Sequence, residues 1–500
     1  MDQKFPAPVY KDTVLAPLYE GVKQHHWRHL MRINDAHGVM LAEQGLLTKS
    51  EAAAILQALR AIEADVAGRL ASMTYTGEHE DFFFEVDAEL RRRLGVEIGG
   101  KLHTARSRND MDHTIFKMAL KERLTELLQA LYDLVEGLLE RARAHAGTLI
   151  VAYTHGQPAQ PSTWGHYLAA FAEALLRDAE RLRLAFDQAD ASSMGAAAIT
   201  TTGFPIDRQR VADLLGFARV QENSYGCIAS ADPYAGAYAA MQVLFIDCGR
   251  FIQDLAMRTS FEVGHLRVPD AFVQISSIMP QKRNPVAIEH LRLLSSLTLG
   301  QAGAMLTALH NTPFADMNDS EGEVQGAGYR AFETGLRVLR LLDGLVRVLE
   351  VNEARVRRHM DESGVTMTEL ADSLVRAEGI SFRQGHEIAA ALARHLVGTG
   401  TTASSLAYAT FADTYREVVG RAPATDEATF RHYLTPEHFV AVRSRPGGPA
   451  PEALAASLDG YTKTLASYRA DLDALRTRQA RAADALAQAV ESTIALAHAA

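Results

Sequence analysis

One short run holds a concentration of reactive side chains: Gln274-Ile275-Ser276-Ser277-Ile278-Met279-Pro280-Gln281-Lys282-Arg283-Asn284-Pro285. Pro280 and Pro285 fix φ and remove two amide donors, which predicts a shaped loop rather than a helix interior. Ser276 offers a hydroxyl able to take a proton, Lys282 a fixed cation and Asn284 an amide. This set suits a carboxylate-bearing substrate, provided that something lowers the pKa of the serine. Alone, the run reads more readily as a polar surface turn with an incidental lysine. Two further stretches outweigh that reading.

The first is Lys101-Leu102-His103-Thr104-Ala105-Arg106-Ser107-Arg108-Asn109-Asp110, between Gly99-Gly100 and a long helical pattern. Arg108 presents a planar fork matched to a carboxylate, and Ser107 and Asn109 can complete such a pocket. The second is Tyr153-Thr154-His155-Gly156-Gln157-Pro158-Ala159-Gln160-Pro161. Its prolines and glycine predict an irregular connection holding His155 between Thr154 and Gln157, as proton donor or ligand anchor. There is no Walker or dinucleotide glycine pattern, no nucleophile elbow and no metal-ligand spacing. His25-His26 and His37 lack a third ligand at convincing spacing and read as ordinary packing or polar histidines. The combined expectation is acid–base chemistry on a small anionic substrate, with no cofactor and no metal.

The elements that must position these residues are long helices. Thr48-Lys49-Ser50-Glu51 is a capping-box pattern opening a helix from Ala52 to about Met73, and Phe82 to Leu94 continues as another. From about Asp112 to Ala146 apolar residues recur at threes and fours (Phe116, Leu120, Leu124, Leu127, Leu131, Leu134, Leu138), predicting one helix long enough to imply a bundle. Similar patterns cover Trp164 to Asp187, Tyr234 to Thr259, Pro285 to Leu309 and Ala327 to Leu349. Gly195 to Gly203 reads as close backbone packing or a small-residue loop beside a ligand. Past Val351 helices shorten, with Gly364, Gly379 and Gly385 as punctuation, and 451–500 reads as one or two solvent-facing helices. The expected division is 1–111, carrying the Ser-Arg-Asn motif; 112–350, the long-helix bundle with His155 and the Ser276 loop; and 351–500, a small helical domain plus terminal helices.

Composition narrows the partners. A net charge of −10 argues against nucleic acid or an anionic membrane as the main partner, while local basic foci at Arg106/Arg108 and Lys282/Arg283 suit a small anion. Two widely spaced cysteines, Cys227 and Cys248, predict a reducing cytoplasm. No signal peptide or membrane span is read from the sequence.

The three stretches together resemble the aspartase/fumarase superfamily, and within it the argininosuccinate lyase family. The matching pieces are Gly100 to Asp110, Thr154 to Pro161 and Ser276 to Pro285, with weaker matches at Phe204 to Arg208, Leu370 to Val375 and Arg443 to Pro449. The resemblance implies an all-α, three-domain homotetramer with active sites shared between subunits. It implies elimination of fumarate from an N-substituted aspartate, with Ser276 as base, His155 on the departing side, and Ser107, Arg108, Asn109, Thr154, Gln157, Lys282 and Asn284 binding substrate. The chain departs from the family pattern in places. Ile275 replaces the glycine before the serine pair. Phe83 replaces a histidine after Glu80-Asp81. The Trp-Gly-Gly-Arg-Phe opening is not found. Asn223 to Asp232, Pro313 and Asn318 alter the side associated with the amine. The fumarate half is intact and the amine half rewritten. Besides argininosuccinate, an iminodisuccinate- or ethylenediamine-disuccinate-type substrate stays open, as does an inactive crystallin-like relative.

Overall fold

The computed structural model describes residues 5–320 and 322–498. Its long helices are α1 (Trp27–Glu43), α2 (Lys49–Arg69), α3 (Phe82–Leu94), α4 (Arg108–Ala144), α5 (Trp164–Ala189), α6 (Asp232–Arg258), α7 (Val286–Leu309), α8 (Gly322–Val346), α9 (Met367–Glu378), α10 (Phe382–Thr399), α11 (Tyr408–Val419) and α12 (Pro451–His498). The strands are short and pair two by two, so the fold is helical, as expected. Among the described residues no helix is long and apolar enough to cross a membrane.

Local chemistry sets the boundaries. Thr48 accepts from the Glu51 amide while the Glu51 carboxylate accepts from the Thr48 amide, which starts α2 with two otherwise orphaned donors satisfied. Ser107 and Asp110 form the same reciprocal cap on α4. Gly364 and Gly379 end their helices in the left-handed region, but Gly385 is no breaker. It lies inside α10, where a Cβ would come 2.9 Å from the Ala371 carbonyl oxygen, so its role is close approach to α9.

The five helices α4 to α8 form an antiparallel bundle. α4 runs from Ser107 to a hairpin made of β1 (Leu149–Thr154) and β2 (Gln157–Thr163). α5 returns and delivers the Ala191 carbonyl to Lys117, early in α4. α6 starts where Tyr234 meets His113 and ends where Arg258 donates to the Val151 carbonyl in β1. α7 descends beside α6, with Ser295 donating to the Phe245 carbonyl. After it, the 310–320 segment brings Asp316 to Asn109. α8 climbs back, and Arg141 near the end of α4 reaches the Leu349 carbonyl. Leu120, Leu124, Leu127, Leu131, Leu134 and Leu138 are all buried, so the stripe read along α4 is core.

Two further expectations are corrected. The 153–161 stretch is more than an irregular connection: it is the tip of the β1–β2 hairpin, whose register pairs Val151 with Pro161 and, past a bulge between Ala152 and Tyr153, Tyr153 with Pro158. A two-stranded ribbon leaves both outer edges free, so proline costs it few ladder bonds. The C-terminal stretch is one helix, α12, and it is not simply solvent-facing. Leu454, Leu458, Leu465, Leu472, Leu486 and Val490 enter the main core. A separate apolar cluster, from Met367 to Leu434, joins α9, α10 and α11.

Candidate active site

Ser276 lies at the base of a second small hairpin, β3 (Gln274–Ile275) paired with β4 (Arg283–Asn284). Its Oγ accepts from the Met279 amide at 3.0 Å and, more loosely, from the Ile278 amide at 3.4 Å. Donors aimed at the oxygen favour its deprotonated form, which is what a hydroxyl base requires. Arg283 holds the hairpin through the Val268 carbonyl and Asp270. The tip is uncovered, with Ile275 and Ile278 83% and 82% exposed. Among the described residues the Lys282 ammonium and the Asn284 amide side chain make no hydrogen bond or ion pair, so both can receive a ligand.

His155 occupies the turn between β1 and β2. Its φ is 53° and that of Gly156 is 72°, so both central residues are left-handed and the turn matches the strand twist. Thr154, His155 and Gln157 are exposed, and among the described residues their side chains bond to nothing in the chain. The hairpin itself is firmly based. Arg258, 3% exposed, donates to the Val151 carbonyl at 3.2 Å and to Asp254 at 2.7 Å, and Asp254 also accepts from the Tyr167 hydroxyl.

The Ser107 turn is engaged differently. Ser107 caps α4 and donates to the Asn109 side-chain oxygen. Asn109 donates to Asp316 at 2.5 Å, a partner from beyond α7 that the sequence reading did not nominate. Arg108 NH1 donates to Glu80 at 2.9 Å and Asp81 at 2.8 Å. Burial alone would lower the Arg108 pKa; the Glu80 bond and the Asp81 and Asp112 charges outweigh it and raise the guanidinium above its usual value. Arg108 therefore has internal carboxylates in place of the free fork read from its neighbours in sequence. Asp81 serves twice, since it also caps α3 through the Phe84 amide. Phe83, in place of histidine, is buried with its ring 5.5 Å from that of His103.

One chain does not gather the nine residues. His155 and Ser276 sit on separate hairpins at the bundle end where α4 and α6 finish and α7 begins. Ser107, Arg108 and Asn109 sit where α4 begins. The 37 residues of α4 span about 55 Å, which separates the two groups. A cavity of about 710 Å³ beside the β1–β2 hairpin is lined by Tyr153, His166, Tyr167, Asp254 and Arg258 and includes none of the nine. The bundle exposes apolar side chains: Val243 and Ile246 on α6, Leu293 and Leu297 on α7. The histidines set aside as ordinary have internal partners, His26 on the Tyr329 hydroxyl and His37 on the Thr104 carbonyl.

Comparison with known proteins places this architecture. Residues 23–300 match a lyase family model, and residues 364–441 match the model described as argininosuccinate lyase C-terminal. The chain is 51% identical over 485 residues to argininosuccinate lyase 2 of Agrobacterium fabrum, covering 97% of this chain and 96% of that protein. It is 34% identical over 462 residues to argininosuccinate lyase of Methanothrix thermoacetophila, covering 92% of each. Among solved structures, EDDS lyase in complex with formate superposes with a TM-score of 0.86 at 28% identity, covering 99% of this chain and 97% of that one. A class II fumarase from Schistosoma mansoni, at 16% identity and a TM-score of 0.67 over 86% of this chain and 92% of that one, shares the fold.

Proposed function

The chain belongs to the argininosuccinate lyase family, and from that premise we propose how its three polar stretches work together. The protein is a carbon–nitrogen lyase that cleaves argininosuccinate to arginine and fumarate, a step of arginine synthesis. In the proposed mechanism the Ser276 oxygen, supported by the Met279 amide, takes a proton from the aspartyl methylene. The electron pair moves into the adjacent carboxylate as an aci-carboxylate. The Cα–N bond then breaks, the double bond of fumarate forms, and the nitrogen leaves with the arginine. Lys282 and Asn284 hold the carboxylate oxygens as charge builds, and Ser107 and Asn109 orient the same molecule from a neighbouring chain. Arg108 contributes by exchanging part of its Glu80/Asp81 pairing for substrate. Thr154 and Gln157 bind on the side where His155 orients or protonates the departing nitrogen.

The observation that carries this reading is the separation of the motifs to opposite ends of an antiparallel bundle. A complete cradle then needs several copies, and we propose the homotetramer with shared sites. The working division is 1–111, 112–350 and 351–500, and the working compartment is the cytoplasm, in keeping with two free, buried cysteines.

A second reading keeps the elimination and changes the amine. It rests on the close superposition with EDDS lyase and on Pro313 and Asn318 at positions read as amine-side. The 51% identity to an argininosuccinate lyase over nearly the whole chain favours the first reading. Fumarate absorbance during incubation with argininosuccinate, and in reverse with fumarate and arginine, ethylenediamine or aspartate, separates them. Turnover of argininosuccinate and consumption only with arginine is the expected result. Consumption only with the diamine or aspartate would replace the substrate.

A further inference from the structure

A strained loop that the mechanism leaves unused lies against the Ser107 turn. In 195–201 three residues other than glycine have positive φ: Ala197 at 48°, Ala198 at 75° and Thr201 at 61°. Side chains resist this region, so the surrounding structure must impose it. One source is Asp110, which is fully buried. Its Oδ2 accepts from the Gly195 amide at 2.9 Å and the Ala197 amide at 3.0 Å, and its Oδ1 accepts from the Ser107 amide at 2.9 Å. A single carboxylate thus clamps the loop to the turn that carries Ser107 and Asn109. Past the clamp, the amides of Ala198, Ile199 and Thr200 donate to no acceptor among the described residues, and these residues are partly or fully exposed. Unbonded backbone amides beside left-handed residues are suited to an anion. Just before the loop, buried Lys117 donates to the Ala191 carbonyl, Ser193 Oγ and Gln221 Oε1, and among the described residues it pairs with no carboxylate. Its charge adds a positive field near the start of the loop.

We propose that the 197–201 loop is a further wall of the dicarboxylate cradle, binding a substrate carboxylate through its backbone amides, with Asp110 as the residue that positions it. This rests on the lyase reading above. The test is fumarate binding by calorimetry, beside turnover and thermal unfolding, for the wild type, the double variant Ala197→Gly/Ala198→Gly, and Asp110→Asn. Glycine relaxes the positive φ, so the double variant is expected to melt no lower than the wild type while binding fumarate at least fivefold more weakly. Asp110→Asn keeps an acceptor but loses the charge, and it is expected to raise KM more than it lowers kcat. Undiminished fumarate binding by the double variant, with a wild type that turns over, overturns the loop proposal alone. A fall in kcat with KM unchanged in Asp110→Asn overturns the positioning role. A wild type that binds no fumarate overturns both this proposal and the lyase reading.

Discussion

At the residue scale the account depends on a hydroxyl that two amides approach and on cations and amides left without internal partners. Removing a positioned base typically costs a factor of about 10² to 10⁴. Ser276→Ala is therefore expected to lower kcat by at least about 10²-fold, with the melting temperature essentially unchanged because the residue is on an uncovered hairpin. Fumarate absorbance and a thermal scan check both halves. A second prediction concerns a group remote from the chemistry. Asp178 in α5 is fully buried, with Oδ2 unpartnered among the described residues. Burial first, then the nearby Asp247 charge, raises its pKa to about 7. Because the folded value lies above the unfolded one, the folded state binds the extra proton between them. This contribution to stability is present at low pH and lost as pH rises through about 7. Asp178→Asn, which keeps an acceptor for Arg181, is expected to unfold like the wild type near pH 4 and to be more stable by about 1 kcal/mol or more at pH 8. Denaturant titrations at the two pH values measure it. The nine candidate residues could be named because reactive side chains stand in short Pro- or Gly-bounded runs. Asp110 and Asp316 could not. The first ends its run with no reactive role marked by its neighbours, and the second is about two hundred residues from the Asn109 it meets.

At the element scale the long helices were legible and the hairpins were not. Periodicity over many turns averages out local exceptions, so the core stripe of α4 follows from the apolar spacing alone. The β1–β2 hairpin is short, and its prolines signal a break to anyone reading rules for central strands. The alanines of α12 hide a sparse leucine stripe, which left its buried face unread. The hairpin gives a sharp prediction. Gly156 sits at φ 72°, where a Cβ meets no neighbour but the backbone resists it. Gly156→Ala should cost about 1 kcal/mol and lower turnover through misplacement of His155. Full activity in that variant would mean that the turn geometry is not needed. At the Ser276 loop, Ile275→Gly restores backbone freedom beside the base. Its expected effect is a changed kcat with stability held, read from steady-state kinetics and melting together.

At the scale of the whole molecule, α4 is a ruler that keeps the Ser107 turn about 55 Å from the two hairpins. No loop movement inside one chain closes such a gap, so the proposed use of both groups at one site calls for more than one chain. Leu293→Lys with Leu297→Lys puts charge on the exposed apolar face of α7 and is expected to yield smaller, inactive species by light scattering. Retention of full activity in a monomer would refute shared sites. The most direct measurement mixes two variants that are each inactive alone, Asn109→Ala and Ser276→Ala, and follows fumarate release from argininosuccinate after subunit exchange. If sites take one motif from each of several chains, some mixed sites hold neither defect, and activity should rise well above the sum of the two parents. A mixture that stays as inactive as its components would show that each chain builds its site alone, against the geometry described.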